Sequence, residues 1–230
     1  MAHSILYEFV ADLTRAIDFP DPVVEFGSMQ VEEGQPNDVR PLFSGKSFTG
    51  TDFRPGPGVD RVEDLRSLTY ADGEIGSALC LDTLEHCADP LTACREMHRA
   101  LRDGGVCVIT SVMLIGVHAH PNDYFRFTPE GFRSLLEPFD DVDVASWGDP
   151  ENPFFVFAAG VKKGKLDVRL DELPALSASQ REYTEAEGRI RVGPFRYSLR
   201  DMAGVLRKEL PRVVRQRARA RMGRGTTGGS

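Results

Sequence analysis

The sequence predicts an α/β fold in which helices cover both faces of a doubly wound, mostly parallel, seven-stranded sheet. Apolar, β-branched segments alternate with helical segments along the chain, and this alternation is typical of such sheets. The chain has 230 residues, of which 41% are hydrophobic, so it can bury a sizeable core. No stretch reaches the roughly 18 continuous apolar residues that cross a membrane. We expect ligands at the carboxyl ends of the strands, where the strand order reverses.

Seven segments have the composition of strands. The most convincing one reads Val-Cys-Val-Ile-Thr-Ser-Val and follows a glycine turn at Gly104 and Gly105. The first one ends at Gly27. The predicted strands are residues 23–27, 47–52, 59–65, 75–81, 106–112, 141–147 and 153–161.

Helices are predicted between these strands and at both ends of the chain. Apolar residues recur at helical spacing over residues 4–18, and a second helix is expected over 89–102. A third helix should begin after Thr128, because threonine is a good N-cap and Pro129 suits the first helical position. These three helices complete a first domain over residues 1–161.

The rest of the chain predicts a helical extension over residues 162–224 and a disordered tail over 225–230. Residues 162–196 are polar and read as irregular, whereas 197–210 have the pattern of an amphipathic helix. Pro211 would break or restart that helix, and an arginine-rich continuation would run to Met222.

Charge is unevenly distributed along the chain. The net charge is −7, yet residues 207–224 contain eight basic side chains and one acidic one. This basic segment would be solvated, pack on the acidic body, pair across a homodimer or bind an anionic partner. Because no basic groove precedes it, nucleic acid is not expected as a substrate.

The four cysteines are expected to be reduced thiols in a cytoplasmic protein. No C-x-x-C pair occurs, and residues 1–9 lack the pattern of a signal peptide. Cys80 and Cys107 lie in apolar runs and are expected to be buried. The seven-residue spacing of Cys80, Cys87 and Cys94 matches no zinc pattern.

Small and acidic residues recur at the predicted strand ends, where a nucleotide-like ligand would lie. Gly27 permits a close backbone approach after the first strand. Asp52 ends the second strand, and its carboxylate can accept hydrogen bonds from both ribose hydroxyls. Asp64 follows the third strand and could accept from an adenine amine. Glu25 and Glu85 complete the series.

Five segments in this order resemble the motifs of the class I S-adenosylmethionine-dependent methyltransferases. The resemblance covers residues 20–161 and implies S-adenosylmethionine as the cofactor. Its segments are Val-Val-Glu-Phe-Gly, Gly-Thr-Asp-Phe, Val-Glu-Asp-Leu, Leu-Asp-Thr-Leu-Glu-His-Cys-Ala-Asp-Pro and Leu-Arg-Asp-Gly-Gly. The cofactor-binding residues that it implies are Glu25, Gly27, Ser28, Asp52, Phe53, Asp64, Leu65, Asp82 and His86.

One motif departs from the family pattern. The family reads E-x-G-x-G-x-G, but only the first glycine is present in residues 25–31. Either this loop follows another path, or cofactor affinity is impaired, so a non-catalytic protein on this fold is an alternative. An NAD site is disfavoured, because the chain contains no G-x-G-x-x-G.

The segment 113–127 is a long loop after the fifth strand, and such loops are usually functional. Its histidines, His118 and His120, are candidate general bases for a hydroxyl acceptor, and Asp82 is a further candidate catalytic residue. Together with Asp82 or Asp123, the two histidines could instead bind Mg²⁺ or another divalent ion.

The same loop carries planar polar and aromatic side chains suited to a sugar. The acceptor-binding candidates are Asp123, Tyr124 and Arg126. The loop loosely resembles sugar and mannoside O-methyltransferases of polysaccharide biosynthesis. The leading hypothesis is therefore O-methylation of a small polar acceptor; an amine or carboxylate acceptor and a non-catalytic scaffold are the alternatives.

Overall fold

The computed structural model describes residues 2–30, 38–118, 121–185, 190–192, 195–197 and 207. The chain divides into two units after Tyr183. The sheet, the helices that cover it and the candidate site all belong to the first unit.

A seven-stranded sheet forms the centre of this unit, as predicted. Its order is β3-β2-β1-β4-β5-β7-β6. All neighbouring strands are parallel except β7, which runs antiparallel to both β5 and β6. The strands are β1 (Val23–Phe26), β2 (Phe48–Asp52), β3 (Arg61–Val62), β4 (Ile75–Leu81), β5 (Leu101–Val112), β6 (Asp141–Asp149) and β7 (Asn152–Val161). The strand order reverses between β1 and β4, so a crevice is expected at their carboxyl ends.

Two apolar layers cover the sheet, because strand side chains alternate between its faces. Leu79 of β4 and Val108 of β5 pack in the layer that contains helix α1 (Ala2–Ala16). Cys80 and Ile109, their neighbours in sequence, pack in the opposite layer under helices α2 (Pro90–Ala100) and α3 (Pro129–Leu135). Cys107 is also fully buried, as expected.

Capping residues define the starts of α2 and α3. The Asp89 carboxylate accepts from Thr92 N, and the Thr128 hydroxyl accepts from Gly131 N, as predicted for this threonine. Helix α2 ends at Ala100, earlier than predicted, because the chain enters β5 at Leu101. The Asp-Gly-Gly segment then lies inside β5, at a register shift against β4, with Gly104 at φ +76°.

The prediction of irregular structure over residues 162–196 was wrong. Helix α4 (Pro174–Glu185) follows a short 3-10 helix (Leu170–Glu172) in this segment. Ala175 N donates to Asp12 of α1 at 2.7 Å, and Gln180 exchanges two hydrogen bonds with Gly148. Leu176 is buried, so an apolar stripe that the sequence analysis missed holds this helix on the core.

A two-stranded antiparallel hairpin, β8 (Ile190–Val192) and β9 (Phe195–Tyr197), lies in the second unit. Tyr197 therefore belongs to a strand and not to the start of the predicted amphipathic helix. The rest of that helix, apart from Arg207, and the arginine-rich helix and tail lie outside the described residues. Among the described residues, no helix is long and apolar enough to cross a membrane.

A close contact joins the ends of β1 and β4. Gly27 has φ +83°, a conformation that favours glycine. A Cβ atom here would lie 2.8 Å from Cβ of Thr83 and closer still to its Oγ1. Gly27 N donates to Thr51 O of β2 at 2.8 Å. The glycine therefore brings three neighbouring strand ends together.

We predict that Gly27→Ala destabilises the protein far more than Gly45→Ala. Both glycines have positive φ, but a Cβ at Gly45 would meet nothing within 4 Å. Gly45→Ala should therefore cost only the conformational strain, about 1–2 kcal/mol. Gly27→Ala should cost about 1–3 kcal/mol more through the collision with Thr83. Urea unfolding measures both variants, and equal losses would show that the contact does not matter.

Candidate functional site

A cavity of about 600 Å³ opens at the carboxyl ends of β1, β2, β4 and β5. We call it the strand-end cavity. It lies at the reversal of strand order, where the sequence analysis placed the ligand. The predicted site residues that line it are Glu25, Gly27, Ser28, Asp52, Phe53, Asp64, Leu65, Asp82, His86, His118 and Tyr124. Asp123 and Arg126 do not line it, and His120 lies outside the described residues.

Glu25 is an acidic group held in a poorly solvated recess of this cavity. Burial of the carboxyl, with a smaller contribution from nearby Asp38, raises its pKa to about 8; Arg40 partly offsets this. The side chain is nevertheless only half-buried and lines the cavity. A cationic ligand group beside Glu25 would favour the charged carboxylate and offset its desolvation.

The loop after β1 is tied to the turn that follows β2. Ser28 Oγ lies within hydrogen-bond distance of Gly58 O (3.0 Å) and Thr51 O (3.2 Å). Gln30 N donates to Pro57 O at 3.0 Å. Ser28 occupies the variable position between the motif's first and second glycines. Met29, which stands where the family has the second glycine, follows it in this loop, and Val31, which stands where the family has the third, lies outside the described residues.

Asp52 lies at the end of β2 with its side chain largely buried. Desolvation raises its pKa, although Arg54 N donates to Oδ1 at 2.9 Å and lowers it in part. The neighbouring Phe53 ring is 51% exposed and carries the Arg54 guanidinium 4.8 Å from its centroid. A carboxylate and a half-exposed aromatic ring, one face of which carries Arg54, thus adjoin at this wall of the cavity.

Asp64 is engaged within its own turn. Arg66 donates to both carboxylate oxygens, from Nε at 3.0 Å and from Nη2 at 2.7 Å. These bonds lower the pKa of Asp64. The carboxylate still borders the cavity, but an adenine amine would have to share it with Arg66.

Asp82 follows β4 in a backbone conformation that is uncommon outside glycine, with φ +45°. Thr110 of β5 supports this conformation. Asp82 N donates to Thr110 O at 3.1 Å, and the Thr110 hydroxyl donates to Asp82 Oδ1 at 2.7 Å. Strained backbone of this kind clusters at functional sites.

Glu85 is a fully buried carboxyl group in the short 3-10 helix Leu84–His86. Ser111 Oγ donates to Oε2 at 2.7 Å, whereas Oε1 has no hydrogen-bond partner in the described part of the chain. Burial and the charge of Asp82 raise the pKa of Glu85 to about 8. In the sequence Glu85 is one of the acidic residues expected at a strand end, with no specific role predicted for it.

His86 and His118 bring two imidazole rings together beside Glu85. Their ring centroids are 4.9 Å apart, at 90°. His86 Nδ1 lies 2.5 Å from Asn122 O, and His118 Nδ1 lies 3.1 Å from Gly116 O. A carbonyl oxygen only accepts, so Nδ1 carries the proton in each neutral ring and Nε2 is the basic nitrogen.

Asp123 and Arg126 shape the loop instead of facing the cavity. Arg126 donates to both oxygens of Asp123, at 2.5 and 2.7 Å, and to the carbonyl groups of Ile115 and Gly116. Asp123 also accepts from His118 N at 2.8 Å. This pair therefore positions His118. Tyr124 does line the cavity, with 51% of its surface exposed.

Two residues that the sequence analysis passed over organise the site. Thr83 fills the space above Gly27, and Ser111 holds Glu85. Only the pairing of β4 with β5 shows that Ser111 lies beside the segment after β4, so no sequence signal identified it.

Residues 43–109, less than a third of the chain, match the family profile of a methyltransferase domain. That span contains β2, β3, β4 and most of β5. The sheet to which these strands belong has the strand order given above. The chain has the class I methyltransferase fold. No curated protein sequence matches the chain significantly.

Solved structures share this class I methyltransferase fold at low sequence identity. A chain of the complex between the Haloferax volcanii Trm112 methyltransferase activator and a methyltransferase has TM-score 0.52 and 17% identity, covering 70% of this chain and 91% of that one. The [4+2]-cyclase SpnF has TM-score 0.50 and 16% identity, covering 68% and 81%. Phosphoethanolamine N-methyltransferase 2 of Haemonchus contortus, in complex with S-adenosyl-L-methionine, has TM-score 0.51 and 13% identity, covering 68% and 52%.

These three structures differ in the activity that their names state, and one of them is named a cyclase. The class I methyltransferase fold is thus compatible with several chemistries, and the reaction has to be argued from the side chains in the strand-end cavity.

We predict that Glu25 makes the stability of the protein fall as pH rises. Its folded pKa of about 8 exceeds the ordinary value of 4.5, so the folded state holds a proton that the unfolded state releases. Relative to Glu25→Gln, the free energy of unfolding should fall between about pH 4.5 and 8, by about 2–4 kcal/mol, and then level off.

Urea unfolding at several pH values measures this difference. Asp60 is a control of opposite sign, because its hydrogen bond with Arg40 lowers its pKa. Relative to Asp60→Asn, the wild type should lose stability as pH falls through the acid range. A Glu25→Gln profile parallel to the wild type would contradict the assignment.

Proposed function

We propose that this protein is an S-adenosylmethionine-dependent methyltransferase that methylates a hydroxyl group of a small polar acceptor. One observation carries the proposal: a single cavity at the reversal of strand order is lined by Glu25, Asp52, His86 and His118. Carboxylates for a cationic nucleoside and a basic imidazole for an acceptor thus open onto the same space. The matching methyltransferase profile and the fold support it.

The residues present fit the cofactor. Asp52 ends β2 with a poorly solvated carboxylate that would accept from the ribose hydroxyls. Glu25 would pair with the ammonium group. Phe53 and Leu65 offer apolar surface to the adenine ring, and Gly27 and Ser28 would pass beneath the ligand. Bound there, the cofactor would supply an electrophilic methyl group.

His118 is the general base in this proposal. A neutral alcohol is a poor nucleophile, so a base must remove its proton as the methyl group is transferred in line. His118 borders the cavity, its Nδ1 faces a carbonyl, and its backbone is held by Asp123. Nε2 is then the nitrogen that takes the proton. His120 is the other base candidate from the sequence.

A sugar is the acceptor class that we would test first. The exposed Tyr124 ring gives an aromatic face of the kind that sugars stack on, and Asn122 lies beside it on the cavity wall. Asp123 and Arg126 contribute by fixing the loop, so fewer charged groups face the acceptor than the sequence suggested. An amine or carboxylate acceptor, which needs little or no base, is the competing assignment.

Cofactor binding is the first prediction of this proposal. Calorimetric titration with S-adenosylhomocysteine should show binding, and Asp52→Ala should weaken it about 10- to 100-fold, because charge-assisted hydrogen bonds contribute about 1.5–3 kcal/mol. Asp72→Ala is the control: Asp72 is exposed and pairs with Arg99 away from the cavity. An unchanged dissociation constant in Asp52→Ala would refute the ribose assignment. No binding by the wild type would favour a non-catalytic scaffold.

The second prediction separates catalysis from cofactor binding. With a labelled methyl donor and a panel of monosaccharides and glycosides, His118→Ala should lower turnover by about 100-fold or more and leave the affinity for S-adenosylhomocysteine near that of the wild type. His98→Gln provides a histidine control, since His98 packs on Phe139 away from the cavity. Full turnover in His118→Ala would remove this base from the mechanism.

A further inference from the structure

Three metal-binding side chains converge beside the strand-end cavity. Glu85, His86 and His118 each offer a ligand atom, and these atoms all lie within 4.8 Å of one another. Two of them are neighbours in the short 3-10 helix after β4, and the third comes from the long loop after β5. We propose that these three side chains bind one divalent transition-metal ion.

The buried carboxyl group gives an independent reason for a ligand at this position. Glu85 is fully buried, and one of its oxygens accepts from Ser111 while Oε1 lacks a hydrogen-bond partner among the described residues. A buried polar atom without a partner costs about 1–3 kcal/mol. A cation bound by this oxygen would remove that cost.

The surroundings of the two histidines match those of metal ligands. A ligating histidine usually donates its other ring N–H to a carbonyl or carboxylate, which fixes the tautomer and the ring orientation. His86 Nδ1 faces Asn122 O, and His118 Nδ1 faces Gly116 O and lies 3.4 Å from Asp123. The Nε2 atoms are then the coordinating nitrogens.

The donor set selects the type of ion. Two imidazoles and one carboxylate suit Zn²⁺, Mn²⁺, Fe²⁺ or Co²⁺, whereas Mg²⁺ prefers oxygen ligands. This set also differs from the trio expected from sequence, Asp82, His118 and His120, because Glu85 takes the place of Asp82. Asp82 Oδ1 already accepts from Thr110.

Metal binding requires the three ligand atoms to move closer together. Metal–ligand bonds of about 2.1 Å place ligand atoms about 3.4 Å apart in a tetrahedral site. The ligand atoms lie within 4.8 Å of one another, so their separations must shorten by at most about 1.4 Å. His118 lies in the long loop and is the ligand best placed to move.

Three protein ligands leave at least one coordination position open. His86 and His118 line the cavity, so an oxygen atom of the acceptor would complete the coordination; this clause rests on the proposed function. A bound metal ion would lower the pKa of the acceptor hydroxyl. His118 Nε2 would then be a ligand and could not accept the proton, which would pass to a water molecule in the cavity. Turnover would depend on the metal.

The test uses the full chain, purified without a histidine tag and freed of metal with a chelator. Co²⁺ titration followed by visible absorption, with Zn²⁺ competition, should show one ion per chain. His86→Ala and His118→Ala should each weaken binding by about 100-fold, and Glu85→Gln should weaken it as well. His98→Gln should bind like the wild type.

Circular dichroism and S-adenosylhomocysteine titration of the same samples report folding and cofactor binding separately. No Co²⁺ or Zn²⁺ binding by the wild type overturns the metal site, whether or not the cofactor binds. Loss of binding in Asp82→Asn but not in Glu85→Gln also overturns this ligand set. Metal binding without cofactor binding would instead leave the site standing and remove the proposed function.

Discussion

The site depends on the close packing of Thr83 against Gly27. Any side chain at residue 27 would collide with Thr83, so the ends of β1 and β4 approach each other only because this residue is glycine. Thr83 is also the residue from which the 3-10 helix with Glu85 and His86 begins. The contact thus fixes where a carboxyl group and an imidazole lie relative to the end of β1 and Glu25.

The central sheet could be predicted because its strands are continuous apolar runs. Two glycines, Gly27 and Gly104, helped because they mark points where the backbone has a positive φ. The residues at the strand ends could be predicted for the same reason, since parallel strands bring their carboxyl ends together. The hydrogen-bond and ion-pair partners of these side chains could not be predicted. Asp64 and Asp123 look alike in the sequence, yet each is neutralised by an arginine within three residues, Arg66 and Arg126. Helix α4 was missed because its apolar stripe is short and interrupted by polar residues.

The loop after β5 adds its own side chains to the strand-end cavity that the sheet forms. Arg126 donates to Asp123 and to the carbonyl groups of three residues of the loop, and Asp123 in turn accepts from the backbone N–H of His118. Asp123 and Arg126, which the sequence suggested for acceptor binding, therefore contact each other, and Asp123 contacts His118. The side chains of this loop that line the cavity include the imidazole of His118 and the ring of Tyr124.

The elevated pKa of Glu25 has a consequence for ligand exchange. Because the pKa of Glu25 is raised to about 8, its carboxyl group favours the protonated form at neutral pH, and an ammonium group that bound beside it would displace that proton. Binding of such a ligand would then exchange one cation, the proton, for another, the ammonium group. The heat of titration would vary with the ionisation enthalpy of the buffer. Below the pKa of Glu25, affinity would rise by up to about tenfold for each unit by which the pH increases. Ligand binding to the cavity would in this way depend on pH before any chemical step takes place.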